Sequence, residues 1–127
     1  HYLTLHYITS HHLTLQYIID KIIGELKNGK AAGVDEIVAE HLKYCHPIIC
    51  AVLVEFFNLF IEFEYVPSAF GIGIVVPIPK NKNYGNCHKI TDFRGITISP
   101  VISKVFEHCL LALFSEFLSS SVNQFGF

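Results

Sequence analysis

The 127-residue chain has no methionine, not even at position 1, and its single arginine is Arg94. The missing methionine points to a fragment or a conceptual translation without its natural start, and the apolar close "NQFGF" reads as a cut end. Charge is also scarce. Only 16% of residues are charged and 51% are hydrophobic, a balance that excludes a disordered chain. What remains is a globular domain, or a piece of one whose missing part covers apolar surface. Four cysteines are too few for the dense disulfide framework of a small secreted domain, so a reducing, intracellular compartment is expected, cytoplasmic or nuclear. No basic segment followed by an apolar run and a small-residue cleavage site opens the chain, so no signal peptide is read. A membrane span is lacking too. The best candidate, "PIICAVLVEFFNLFIEFEYV" at residues 47 to 66, reaches Glu55 after eight uncharged residues, where a span needs about 20.

The length allows one domain, and a domain of this size buries roughly two thirds of the surface its unfolded chain exposes. Residues 3 to 8, "LTLHYI", return at 13 to 18 as "LTLQYI". Two copies do not make a solenoid, so residues 1–20 are set apart as a low-information leader. From residue 15, Leu15, Ile18, Ile22 and Leu26 line one helix face, and Asn28 with Gly29 supplies a stop. Asp35 is placed to cap a short helix ending near Tyr44. Pro47 opens a long apolar helix carrying Val52, Leu53, Phe56, Phe57, Phe60 and Phe63, which Pro67 breaks.

After Pro67 the period changes to two. Ile72, Ile74, Val76 and Ile78 share a strand face, and Phe93 to Ile98 reads as a second strand with Arg94, Ile96 and Ile98 on one side. A last helix of about 18 residues follows Ser99 and Pro100, with a stripe from Ile102 to Phe117. The expected fold class is therefore α+β, with one antiparallel two-stranded hairpin packed on helices. Two strands alone are marginally stable, so they must pack on these helices or pair with strands outside the chain.

Charge is uneven along the chain. Residues 71 to 104 hold Lys80, Lys82, Lys89, Arg94 and Lys104 against Asp92 alone, a local net of +4 in a chain of −2. The rest carries −6. Lysine offers an anion a point charge and arginine a fork, so a basic hairpin on an acidic body suits phosphate. Parity matters here, because Lys80 continues the face of Ile74, Val76 and Ile78, while Arg94 shares that of Ile96 and Ile98. In an antiparallel hairpin both project from one side. A solvated hairpin tip accounts for the same composition.

Other constellations are weaker. Cys45 with His46, Cys87 with His88, and His108 with Cys109 are adjacent pairs, whereas zinc ligands usually lie two to five residues apart. Only Cys45 and Cys50 approach that spacing, and no metal site is assigned. "GKAAGVD" lacks the spacing and preceding strand of a P-loop. No Ser/His/Asp or Cys/His arrangement stands out, so no catalytic residue is assigned.

Four ordered blocks, "LKNGKAAGVDEIVAEHLKY", "VVPIPK", "DFRGITISPVISKVFEHCLL" and "NQFGF", resemble the N-terminal fingers part of the reverse transcriptases of non-LTR (LINE-type) retrotransposons. The resemblance covers about residues 21–127. It implies a helix-rich fingers subdomain of a polymerase right hand, which contributes nucleotide and template contacts to RNA-directed DNA synthesis. Lys80 then matches the triphosphate-contacting lysine that ends the "PIPK" strand, and Arg94 the arginine of the next block. Gly33 and Asp35 match a structural "GxDG" turn. Implied partners are an RNA template, a DNA primer, a deoxynucleoside triphosphate and the palm portion of the same polyprotein, but no membrane. Magnesium is held in the family by palm aspartates, in a Y-x-D-D block and elsewhere, that have no counterpart here, so this part binds no cofactor and is expected to be inactive alone. Glu36 stands where the turn usually has its second glycine, and Leu113 in "LLALF" stands where an arginine is frequent. If Glu36 must adopt positive φ, the cost is about 1 kcal/mol or more. Two other readings stay open: a small helical module that binds nucleic acid non-specifically through the basic hairpin, and a remnant without function.

Overall fold

A computed structural model of the chain describes residues 2–80 and 89–117, with side chains from Thr14 onward. Among these residues it is a small α+β domain of four helices and one antiparallel two-stranded hairpin. The helices are α1 (Tyr2–Glu25), α2 (Ala39–Tyr44), α3 (Ile48–Glu62) and α4 (Val101–Phe114). The strands are β1 (Ile74–Pro79) and β2 (Phe93–Ile98).

Helix α1 begins at Tyr2, thirteen residues before the periodic stripe starts, and passes residue 20 without interruption. Leu15 and Ile19, from the segment set apart as a leader, lie in the core. The fully buried line is Leu15, Ile19 and Ile23, with Ile18, Ile22 and Leu26 flanking it. Its position follows from α1 packing against both α3 and α4, which widens the covered face beyond a single stripe.

Helix α3 buries Cys50, Leu53, Val54 and Phe57, at spacings of three and four. Val52, Phe56 and Phe63, also counted among the apolar residues of this segment, are exposed. The helix ends before Pro67 can act. Tyr65 N–H donates to the Phe60 carbonyl at 3.1 Å, Glu64 N–H donates to that of Ile61 at 3.4 Å, and Glu64 has φ +50°. That pair of bonds is a Schellman closure, with glutamate in the left-handed position usually held by glycine. Phe57 and Phe106 then meet at 4.9 Å, with Phe60 and Phe70 edge-on around them.

The α1–α2 connection is built on a tight contact. A Cβ on Gly33 would lie 2.9 Å from the Pro100 nitrogen and 3.1 Å from the Ser99 carbonyl carbon, so the loop meets the start of α4 backbone to backbone. Glu36 N–H donates to the Gly33 carbonyl at 3.2 Å and closes a turn, in which Glu36 itself takes φ +57°. The conditional strain expected at this position is present. Asp35 does not cap α2. Its carboxylate accepts from Ile37 N–H at 3.3 Å, an Asx turn, and His41 Nδ1 accepts from Val38 N–H at the helix start instead.

The hairpin departs most from expectation. β2 spans the expected residues, whereas β1 starts at Ile74 because Ser68–Gly71 forms a 3₁₀ turn. Both strands are exposed along most of their length on both faces, and no strand residue belongs to the core. Among the described residues the hairpin is therefore not packed into the helical core. The last helix closes at Phe114 rather than near residue 118, and Phe117 is exposed.

Positive φ at Glu36 and Glu64 and the close approach at Gly33 predict substitutions of opposite sign. Glu36→Gly and Glu64→Gly should each stabilise the fold by about 1 kcal/mol, and Gly33→Ala should cost about 1–3 kcal/mol. Urea denaturation midpoints at constant m-value measure all three.

Candidate functional site

The β1–β2 register pairs Ile74 with Ile98, Val76 with Ile96, and Ile78 with Arg94. The ladder runs one step further, since Lys80 N–H donates to the Asp92 carbonyl at 2.8 Å. Directly opposed residues of an antiparallel pair share a face, so Lys80, Asp92 and Arg94 project from the side that carries Ile74, Val76 and Ile78. Lys80 and Arg94 are diagonal neighbours there, a relation that puts side-chain origins about 7–8 Å apart. Both are exposed. The expected common face is present, just beyond the apolar part of the strands.

Asp92 is the member of this group that sequence reasoning left out. It lies opposite Lys80, and its carboxylate accepts from Lys89 N–H at 3.0 Å, closing the 3₁₀ turn Ile90–Asp92 that leads into β2. The signal was available, because any register that opposes Ile78 and Arg94 also opposes Lys80 and Asp92. Its consequence is electrostatic. Two cations and one carboxylate share the end of this face, and the acid offsets part of the attraction for an anion. Lys82 and the tip of the excursion lie outside the described residues.

Gly33 and Asp35 both make structural interactions: the backbone approach to Pro100 and the Asx turn. "GKAAGVD" follows a helix rather than a strand, so a P-loop is not formed. Glu40 joins this region from α2. It accepts from Gly29 N–H, and that bond, ahead of the field of Lys43, holds its carboxyl below the ordinary 4.5.

The thiols are separated. Cys45 is exposed and donates to the Leu42 carbonyl at 3.1 Å, Cys50 is buried with Asp20 Oδ1 at 3.9 Å, and Cys109 is buried in α4. Among the described residues no three His, Cys, Asp or Glu side chains converge. Cys87 and His88 lie outside them. Burial raises Cys50, helped by the neighbouring Asp20 carboxylate, and pushes Cys109 from its ordinary 9.0 to about 11. A buried thiolate is a poor prospect for nucleophilic chemistry.

Burial favours neutral Cys109 in the folded state. Its contribution to stability is therefore fully present below pH 9.0 and is lost as pH rises through about 11. Melting midpoints should fall more steeply over that window in the natural chain than in Cys109→Ala. Alkylation at pH 8, read by peptide mass spectrometry, should label Cys45 well before Cys50 and Cys109, and equal rates would contradict the burial described.

No protein-family model matches the chain, and no curated protein matches it either.

Proposed function

We propose that the chain is the fingers part of a reverse transcriptase of the non-LTR retrotransposon type. In this reading the basic hairpin contacts the phosphates of an incoming deoxynucleoside triphosphate, with Lys80 as a point charge and Arg94 as a bidentate fork. The helical body carries the hairpin and contributes template contacts. No residue is assigned a catalytic or metal-binding role, since in this family synthesis runs on magnesium ions held by palm aspartates. The observation that carries the reading is the register that sets the chain's single arginine diagonal to Lys80 on one exposed face. The four sequence blocks, in order, supply the family.

A second reading has its own support. Both hairpin faces are exposed, so the strands can lie along a nucleic-acid backbone without any nucleotide pocket. Lysines and arginine would then act by neutralising phosphates, independently of sequence.

Fluorescence titration with a labelled deoxynucleoside triphosphate and magnesium separates the two. Lys80→Ala and Arg94→Ala should each weaken binding by about tenfold or more, the loss expected for one charge-assisted contact. Triphosphate affinity unchanged in both variants would remove the first reading. Salt-sensitive RNA binding without any preference for triphosphate would assign the second. Primer extension on an RNA template by the chain alone should yield no product, and magnesium-dependent synthesis would overturn the assignment of no catalytic residue.

A further inference from the structure

A second cationic site lies away from the hairpin. A cavity of about 290 Å³ opens where the end of α1, the approach to α2 and the first turn of α4 meet. Lys27 and Lys30 enter its wall from the α1–α2 connection, and Lys104 enters from α4. Its floor is apolar, formed by Leu26, Ile37 and Val101. Among the described residues no carboxylate lines it, and none of the three lysines forms an ion pair. In a chain with a net charge of −2, three unpaired lysines on one small cavity are a concentration of positive charge that folding has not neutralised.

The cavity is also held in shape. Gly33 presses its backbone against Ser99 and Pro100, which fixes the α1–α2 connection to the base of α4. Glu40, the carboxylate of the adjoining helix, accepts from Gly29 N–H and is not among the residues that line the cavity. Ser99 lines the cavity, and the first turn of the 14-residue α4 has no side-chain cap, so backbone N–H groups stand beside Lys104. Free donors and an N-terminal helix end add to the field of the three lysines.

The geometry points to a binding site for an organic phosphate ester, in which the lysines hold the phosphate and the carbon skeleton covers the apolar floor. Three cations suit a phosphomonoester, which carries about −1.5 to −2 at neutral pH, better than a monocarboxylate. An apolar floor of this size suits a ligand with a compact, flat organic part better than inorganic phosphate. A nucleoside phosphate has this chemistry, either free or as one unit of a strand. The site does not depend on the hairpin, whose cations lie on a separate element.

The test is a titration of the isotopically labelled 127-residue chain with adenosine 5′-monophosphate, followed by backbone amide shifts. Shifts should centre on Ser99 and Val101 to Ser103, and the monophosphate should bind at least about tenfold tighter than inorganic phosphate, adenosine or octanoate. Lys104→Gln should weaken binding about tenfold. Exposed Lys27 and Lys30, changed to Gln, provide the same reading should Lys104→Gln unfold the chain. Lys80→Ala and Arg94→Ala should leave this titration unchanged, so its failure is distinct from failure of the hairpin reading. Shifts centred elsewhere, an affinity no better than that of inorganic phosphate, or indifference to all three lysine substitutions would overturn the proposal. A 5′-phosphorylated decadeoxynucleotide assigns the source: tighter binding than the monophosphate marks a strand, and equal or weaker binding marks the free nucleotide.

Discussion

The backbone contact between Gly33 and Pro100 is the constraint on which the rest of the arrangement depends. Neither strand contributes to the core, so the hairpin has no packed face to fix its position. It is held by its two joints. One runs from Ile98 through Pro100 into α4, where the absence of a Cβ at Gly33 lets the α1–α2 connection close down on the chain. The other runs from α3 through the 3₁₀ turn Ser68–Gly71, where Phe70 packs edge-on against Phe60 at 5.6 Å. A bulkier residue at Gly33 would disturb hairpin placement, the first turn of α4 and the shape of the three-lysine cavity together.

A two-stranded hairpin open to water on both faces is marginal by itself. Here Ile78 and Ile96 expose 42% and 48% of their surface, values that separate this hairpin from a sheet resting on helices. The outer side of α3 is similarly uncovered at Val52, Phe56 and Leu59, beside an apolar groove of about 290 Å³ that Pro67 and Phe70 help to line. Helix α3 is apolar nearly all round, a composition that belongs to a helix buried on more than one side. Its inner side is met by α1 and α4. The order of the fold is thus a four-helix core that satisfies its own inner faces, with a hairpin whose geometry is inherited from its joints.

What could be read from the sequence follows from which forces are local. Strand β2 matched its expected bounds because alternation at Phe93 to Ile98 is a local pattern, and the shared face of Lys80 and Arg94 follows from that pattern and antiparallel pairing alone. The Glu36 strain was legible only through the resemblance, in which a glycine usually stands at that position, and Glu36 takes φ +57°. Burial was not local. Ile19 and Ile23 displaced Ile18 and Ile22 from the centre of the α1 stripe because two partner helices, not one, cover it. Asp35 failed as a cap because the turn it closes leaves three residues between it and Ala39, so its oxygen is spent on Ile37. Packing of the hairpin on the helices was inferred from the need to bury its apolar residues, and need does not supply a surface to bury them against.

The two cationic groupings illustrate how burial and company decide what a charge can do. At the hairpin, Lys80 and Arg94 stand in water and share their face with Asp92, so Coulomb attraction for an anion is both screened and partly cancelled. A ligand held there must satisfy several phosphate oxygens at once, because multiplicity has to replace the missing desolvation. The cavity differs in its company. Lys27 and Lys30 are as open to water as the hairpin cations and Lys104 is half-buried, but no carboxylate is among the lining residues described, and the uncapped first turn of α4 stands beside them. A phosphate there meets no competing acid, and donors already fixed in a helix cost less ordering. One phosphate can therefore suffice at the cavity, whereas the hairpin requires a chain of them, and that contrast follows from where Asp92 and Gly33 lie.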